Sequence, residues 1–366
     1  MIEICRDDMK RVKVGEICQI VSGSTPKTSI DEYWDGDLDW ITPAELTDDS
    51  YIVTESARKI TELGVKKTGL KPFPRGTVIL SSRAPIGKVA IAGKEMFCNQ
   101  GFKNLICSEV ILPEYLYWFL KGNTEYLNSL GRGATFKEIS KKIVSDIEIN
   151  VPDIGTQKNA VDILGRCWAI IKKRKEESEK FDELIKARFV EMFGDGSSPI
   201  KTVEEMCSAI VDCPHTTPRY EGDLRNPAIR TSEIKKGYIT WDTMRYVSDE
   251  EYEERVARLR PKAGDIVYGR EGTFGNAVIL PEGYKFCLGQ RVMLLRPDYT
   301  KCTSEYLLHA VISDDVYRQA VGKNNASTVA HVNVKDVKQF RVPMPLFEKQ
   351  NEFTIFVNQI DKSKVA

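Results

Sequence analysis

Two halves of this sequence repeat one another, so whatever fold it adopts must build the same unit twice. Val14-Gly15-Glu16-Ile17 returns as Val203-Glu204-Glu205-Met206, and Trp40-Ile41-Thr42 through Leu46 returns loosely as Ile229-Arg230-Thr231 through Ile234. Gly76-Thr77-Val78-Ile79-Leu80, followed by Gly87 and Ile91, matches Gly264-Asp265-Ile266-Val267-Tyr268, followed by Gly275 and Ile279 at the same spacing. Further on, Gln100 matches Gln290, Glu114-Tyr115-Leu116 matches Glu305-Tyr306-Leu307, Thr135 matches Thr328, and Pro152 with Gln157 matches Pro345 with Gln350. The offset drifts only from 188 to 193. One such match carries no weight, but a colinear series with a nearly constant offset is a duplication.

Within each copy, short β-rich runs such as Thr77 to Leu80, Val89 to Ile91 and Ile266 to Tyr268 are punctuated by Gly and Pro turns. A short helix is expected after each glutamine. Pro113 can occupy the first turn of one, running through Tyr117, Trp118 and Leu120, and Ser304 can cap the other, running through Leu307, Val311 and Val316. The fold class is therefore α+β.

Between the copies the pattern changes to a long helix, from about Thr156 to Phe193, closed by Gly194, Gly196 and Pro199. Leu164, Ile171, Ser178, Ile185 and Met192 share one heptad position, and Cys167, Arg174, Phe181 and Arg188 share the other. Such a helix is on the order of 57 Å long. After the second copy, Phe353, Val357, Ile360 and Lys364 repeat the spacing up to Ala366. Both segments want a helical partner. The expectation is that they pair antiparallel, with Leu164, Ile171, Phe181, Ile185, Val357 and Ile360 in the seam; the alternative is two amphipathic helices, each packed on its own domain. The expected layout is a domain over residues 1–155, a central spacer helix over 156–195, a second domain over 196–345 and a C-terminal spacer helix over 346–366.

With 42% hydrophobic, 9% aromatic and 29% charged residues, the chain has the composition of an ordinary globular protein, which excludes disordered, collagenous and disulfide-scaffold classes. Fifty-three Lys and Arg balance 53 Asp and Glu, so no global field draws the molecule to a polyanion, and such binding must be local. The cysteines at 5, 18, 98, 107, 167, 207, 213, 287 and 302 form no Cys-x-x-Cys pair, and with no signal peptide they read as reduced thiols of a cytoplasmic protein. The histidines at 215, 309 and 331 are too scattered for a zinc site, and Asp212-Cys213-Pro214-His215 reads as a turn. No apolar stretch approaches the roughly 20 residues needed to cross a bilayer.

If the two helices pair antiparallel, the globular units project from opposite ends of a rod about an approximate two-fold axis. Two readers held roughly 34 Å or more apart, about one turn of DNA, engage two half-sites in inverted orientation across an untouched spacer.

At these residues the sequence also resembles a known family. Gly23-Ser24-Thr25-Pro26 with Tyr33-Trp34 and Trp40-Ile41-Thr42, Leu80-Ser81-Ser82-Arg83-Ala84-Pro85-Ile86-Gly87-Lys88, Asn99-Gln100-Gly101-Phe102, Gly133-Ala134-Thr135, and Val151-Pro152 with Gln157 are similar to the DNA specificity (S) subunit of Type I restriction-modification systems. So are Asp212-Cys213-Pro214-His215-Thr216-Thr217-Pro218 and Pro343-Met344-Pro345 with Gln350 in the second copy. The resemblance implies two tandem target-recognition domains separated by long paired helices, binding to double-stranded DNA, and no catalysis in this chain. It also implies assembly with two modification subunits that methylate adenine using S-adenosylmethionine; restriction subunits, where present, add cleavage that uses ATP and magnesium. The terminal helix departs from the pattern, being about half as long as the central one.

Reading DNA needs Lys and Arg for phosphates and planar bidentate groups for base edges, Arg for guanine and Asn or Gln for adenine. Candidates cluster in the turns of each copy. The first has Lys27, Arg83, Lys88, Asn99, Gln100, Lys103, Arg132, Thr135 and Lys137; the second has His215, Thr217, Arg219, Arg230, Arg270, Gln290, Arg291, Asn325, Ser327 and Thr328. The stretch Arg58 to Arg75 adds a basic excess. Gln100 and Gln290 equally suit satisfaction of groups within each domain. An enzyme is the rival class. Gly269-Arg270-Glu271-Gly272-Thr273-Phe274-Gly275 lacks the spacing of a phosphate-cradling loop, and no Asn/Asp-Pro-Pro-Tyr/Phe run of an adenine methyltransferase occurs. A methylation-only specificity subunit and a spacer that binds only protein also compete with the leading expectation.

Overall fold

The computed structural model describes residues 10–133, 137–221, 225–272, 275–322 and 331–365. The chain forms two compact units, residues 1–172 and 173–366, with the boundary inside one continuous helix, Ile154–Phe193. Among the described residues no helix is long and apolar enough to cross a membrane.

In the first unit a five-stranded sheet runs in the order Cys18–Val21, Phe102–Cys107, Val78–Ser81, Val89–Ala92, Ile52–Val53. A three-stranded sheet, Lys59–Ile60, Trp34–Ile41 and Phe97–Cys98, covers one face, and the helix Pro113–Gly122 covers the other. Strand periodicity sorts the side chains between these faces. Val78, Leu80, Val89 and Ile91 join Leu116 and Leu120 of the helix, whereas Ile79, Ala90 and Ala92 join Ile41 and Cys98. Because both faces are covered, Val78 to Leu80 and Val89 to Ala92 are apolar at every position.

The second unit repeats the plan. Its larger sheet orders Cys207–Asp212, Val292–Pro297, Ile266–Gly269 and Ala277–Ile279, and its smaller one orders Arg245–Val247, Asn226–Ile229 and Cys287–Leu288. Ile266, Tyr268, Met293 and Leu295 face the helix Ser304–Val311; Val267, Val278, Val292 and Leu294 face the smaller sheet. The paired glycines are needed at the same turns: Gly76 and Gly264 have φ +83° and +87°, and Gly87 and Gly275 have +96° and +87°. A Cβ there is strained.

The buried glutamines show the duplication atom by atom. Gln157 accepts from the Leu112 N–H at 2.9 Å and donates to the Val110 and Pro152 carbonyls at 2.9 and 2.8 Å. Gln350 accepts from the Thr303 N–H at 3.1 Å and donates to the Lys301 and Pro345 carbonyls at 3.0 and 3.0 Å. Each ties the start of a long helix to its own domain.

Helix caps differ in part from expectation. Pro113 does open its helix, but Thr303, not Ser304, caps the second, its hydroxyl accepting from the Tyr306 N–H at 3.1 Å. Ser304 donates instead to the Gly264 carbonyl at 2.8 Å, and Val316 belongs to a separate helix, Asp314–Gly322. The long helix begins at Ile154, where the Asp153 carboxylate accepts from the Thr156 N–H at 3.0 Å.

Within the second unit the closing helix, Phe347–Val365, packs on residues 173–193. The ring of Phe353 lies 5.6 Å from Phe193 and 5.4 Å from Phe189, while Lys364 pairs with Asp182 at 2.7 Å. The two helices therefore run antiparallel. Ile185 and Val357 are buried in this seam, Ile360 packs against it and Phe181 is part-buried. Leu164 and Ile171, expected in the same seam, are 42% and 59% exposed. Length explains this, because at about 1.5 Å per residue a 19-residue helix covers about half of a 40-residue one. In the first unit the long helix is instead fastened by Trp168, which meets Trp118 edge-on at 6.0 Å and carries the Lys121 ammonium 4.3 Å from its ring centre.

Candidate nucleic-acid interface

Four segments of the first unit meet at one end of its sheets. The Ser82 N–H donates to the Gly101 carbonyl at 2.8 Å and the Ile139 N–H donates to the Ser82 carbonyl at 3.0 Å, which joins the segments at 82–88, 99–101 and 137–139. The fourth, around Thr25, is tied in by its hydroxyl, which donates to Gln100 Oε1 at 2.5 Å. Lys27, Gln100, Arg132 and Lys137 are exposed on this cluster. Arg83, Pro85, Ile86, Asn128, Lys137 and Glu138 line a pocket of about 550 Å³ there.

Three of the basic and amide candidates serve the cluster from within. Lys103 is buried and donates to Glu138 Oε1 at 3.0 Å and Ser82 Oγ at 3.2 Å, pinning two loops together. Lys88 donates to the Leu46 carbonyl, and Asn99 Oδ1 accepts from the Gly101 N–H at 2.8 Å. Thr135 lies outside the described residues.

The second unit assembles equivalent segments through equivalent backbone bonds. The Arg270 N–H donates to the Arg291 carbonyl at 2.9 Å and the Val332 N–H to the Arg270 carbonyl at 3.0 Å. Gln290 donates to the Thr217 hydroxyl at 2.9 Å, repeating the Gln100–Thr25 contact with donor and acceptor exchanged. His215, Thr217 and Arg291 are exposed. Asn325, Ser327 and Thr328 lie outside the described residues.

Other arginines of this unit are engaged by carboxylates. Arg270 is buried, its Nη2 2.8 Å from Asp212 Oδ1. Arg230 grips the fully buried Glu233 with Nη2 at 2.6 Å and Nε at 3.1 Å. Burial raises the Glu233 carboxyl, but the bonds from Arg230 and Ser232 outweigh it and hold the group below its ordinary range. Arg219 keeps an exposed side chain, yet Glu251 at 2.5 Å and Glu254 at 3.2 Å hold it and raise its pKa. Sequence reasoning misses these carboxylates, since a search for DNA contacts looks for cations and amides. Aligning the two copies exposes a further one, for it sets Glu271 opposite Arg83 and His331 opposite Glu138. Among the described residues no group of three or more His, Cys, Asp or Glu could hold a metal ion.

Known proteins share this layout. The family described as Type I restriction modification DNA specificity domain matches residues 6–180 and 223–366. The Type I restriction enzyme MjaIX specificity subunit of Methanocaldococcus jannaschii is 38% identical over 200 residues, 54% of this chain and 46% of the relative, so the match spans about half of that protein. The EcoDI specificity subunit of Escherichia coli is 21% identical over 390 residues, covering 96% of this chain and 81% of the relative. Among solved structures, the Type-I restriction-modification S subunit from M. genitalium aligns over 99% of this chain and 92% of its own, with a TM-score of 0.55 at 13% identity. That likeness bears on the fold.

Proposed function

The chain belongs to the Type I restriction modification DNA specificity family, and from that premise we propose that it reads a bipartite, asymmetric DNA site and docks the subunits that methylate it. It is a specificity subunit, the recognising rather than the reacting part of such a system. The observation that carries the reading is one loop cluster built twice on the same backbone bonds with different side chains. A repeated scaffold gives two readers; unlike side chains give unlike half-sites.

In this proposal residues 1–155 and 196–345 are the readers, and residues 156–195 and 346–366 space them. Lys27, Arg83, Gln100, Arg132 and Lys137 face one half-site, and His215, Thr217, Gln290 and Arg291 face the other. Lys88, Asn99, Lys103, Arg219, Arg230 and Arg270 shape the loops, each engaging a carbonyl, an N–H or a carboxylate of its own domain. Two modification subunits grip the central helix around Lys172, Lys173, Glu176, Glu177 and Lys180 and bring S-adenosylmethionine. Restriction subunits, where they join, bring ATP and magnesium. The work is done on cellular DNA, in the cytoplasm.

With no net charge, the chain alone lacks the long-range attraction that positions a reader on phosphate. Base-edge bonds, about 1 to 3 kcal/mol of discrimination for each good bidentate pair, act only after that positioning. Specific binding is therefore expected on assembly. Co-purification with the modification subunit, followed by a salt titration of DNA affinity, tests this. Tight, specific binding by the isolated chain, or an assembled complex that prefers no motif, would overturn the reading.

A further inference from the structure

The two domains carry an arginine of this loop cluster at different places. In the first, Arg83 forms a backbone bridge with Glu138, its side chain takes no partner among the described residues, and Gly101 follows Gln100. In the second, Glu271 and His331 form the corresponding bridge, and Arg291 follows Gln290. A cation has been exchanged for a carboxylate on one loop, and a glycine for a cation on the neighbouring loop.

Glu271 holds two neighbours. Its Oε2 forms an ion pair with Arg291 Nε at 2.9 Å, and its Oε1 lies 3.1 Å from His331 Nδ1. The Arg291 backbone sits in the left-handed region at φ +66°, and its carbonyl accepts from the Arg270 N–H at 2.9 Å. The guanidinium is thus anchored at Nε. Its terminal nitrogens make no bond among the described residues, and the side chain is 59% exposed. A guanidinium restrained by a carboxylate at Nε keeps Nη1 and Nη2 available as a planar fork. Guanine in the major groove offers two acceptors side by side, N7 and O6, that match such a fork. A phosphate contact is met equally by a mobile lysine and gains little from a fixed plane.

We infer that Arg291 reads one guanine in the half-site of the second domain, and that Glu271 is the positioning residue that fixes the plane of its guanidinium. The inference rests on the DNA-reading function proposed above and adds the base and the residue that sets its geometry.

The test uses the complex assembled with its modification subunits and duplexes carrying the motif found by methylome sequencing. Each guanine of the second half-site, on either strand, is replaced in turn by 7-deazaguanine, which lacks the N7 acceptor. Affinity should fall about ten-fold at one guanine and little at the others. Arg291→Ala should lower affinity for the unmodified duplex by a similar factor and remove the sensitivity to that guanine; Arg291→Lys should not restore it. Glu271→Gln should shrink the sensitivity at that guanine severalfold, with thermal melting and complex assembly unchanged, and Glu271→Asp should recover part of it. A second half-site without a G·C pair, or a sensitivity pattern that Arg291→Ala leaves intact, overturns the assignment. So does an Arg291→Ala complex that loses affinity for all duplexes alike with a reduced salt slope, which marks a phosphate contact. Full sensitivity in Glu271→Gln removes the positioning role. Failure of the unaltered complex to prefer its motif would instead count against the DNA-reading function itself.

Discussion

Arg230→Ala leaves the Glu233 carboxylate fully buried with its principal partner gone, and removing one member of a buried pair costs about 3 to 5 kcal/mol. Urea unfolding of the variant should show a loss of that size, and Arg230→Met with Glu233→Leu should recover most of it. His309 supplies a dependence on pH. Burial lowers its pKa from 6.5 to about 4, so the unfolded chain takes up a proton near pH 6.5 that the folded chain refuses until about pH 4. Its contribution is complete above pH 6.5 and is lost as the pH falls through that window. At about 1.4 kcal/mol per pKa unit the loss is on the order of 3 kcal/mol. Thermal melts between pH 7 and 4 should fall more steeply for the native chain than for His309→Phe. Residue pairs matched across the repeat, such as Gln157 with Gln350, were legible in sequence because duplication preserves spacing. The burial of Lys103 and Arg270 was not, since it depends on which carboxylate faces them across the fold, Glu138 or Asp212.

The strands around 77–80, 89–91 and 266–268 and both long helices were legible as elements, because β-rich runs between Gly and Pro turns and a seam stepping by threes and fours survive in a single sequence. The extent of helix pairing was not. Leu164 and Ile171 share a heptad position with Ile185, yet only Ile185 is buried, because the 19-residue closing helix reaches only part of the long one. Two substitutions separate these regions. Ile185→Asp puts a charge into the core of the second unit and should destabilise it by at least about 3 kcal/mol. Ile171→Asp, at an exposed site, should shift chain stability by less than about 0.5 kcal/mol while weakening co-purification with the modification subunit. Calorimetry and pull-down on both variants check the pair. Inserting four residues beside Arg174 lengthens the helix by about 6 Å and turns one reader by roughly 40°. Methylome sequencing should then find a longer spacer in the motif, or methylation should cease; an unchanged spacer at full activity would show that the helix is not the ruler.

For the whole molecule, two readers on one scaffold imply separable specificities. Exchanging residues 1–155 for the matching part of a relative should change one half of the methylated motif and leave the other intact; a change in both halves would end the idea of independent reading. The balanced charge of 53 against 53 also predicts that affinity gained on assembly falls steeply with salt, because added subunits bring the phosphate contacts. The joint at Gln157, built again at Gln350, has a consequence for inheritance. Each reader meets its helix through the same three bonds, so a genetic crossover at either joint hands the helix a domain that already fits it. On the proposed function, a new methylated motif can then arise in one recombination event, with no intermediate generation left carrying a half-adapted domain.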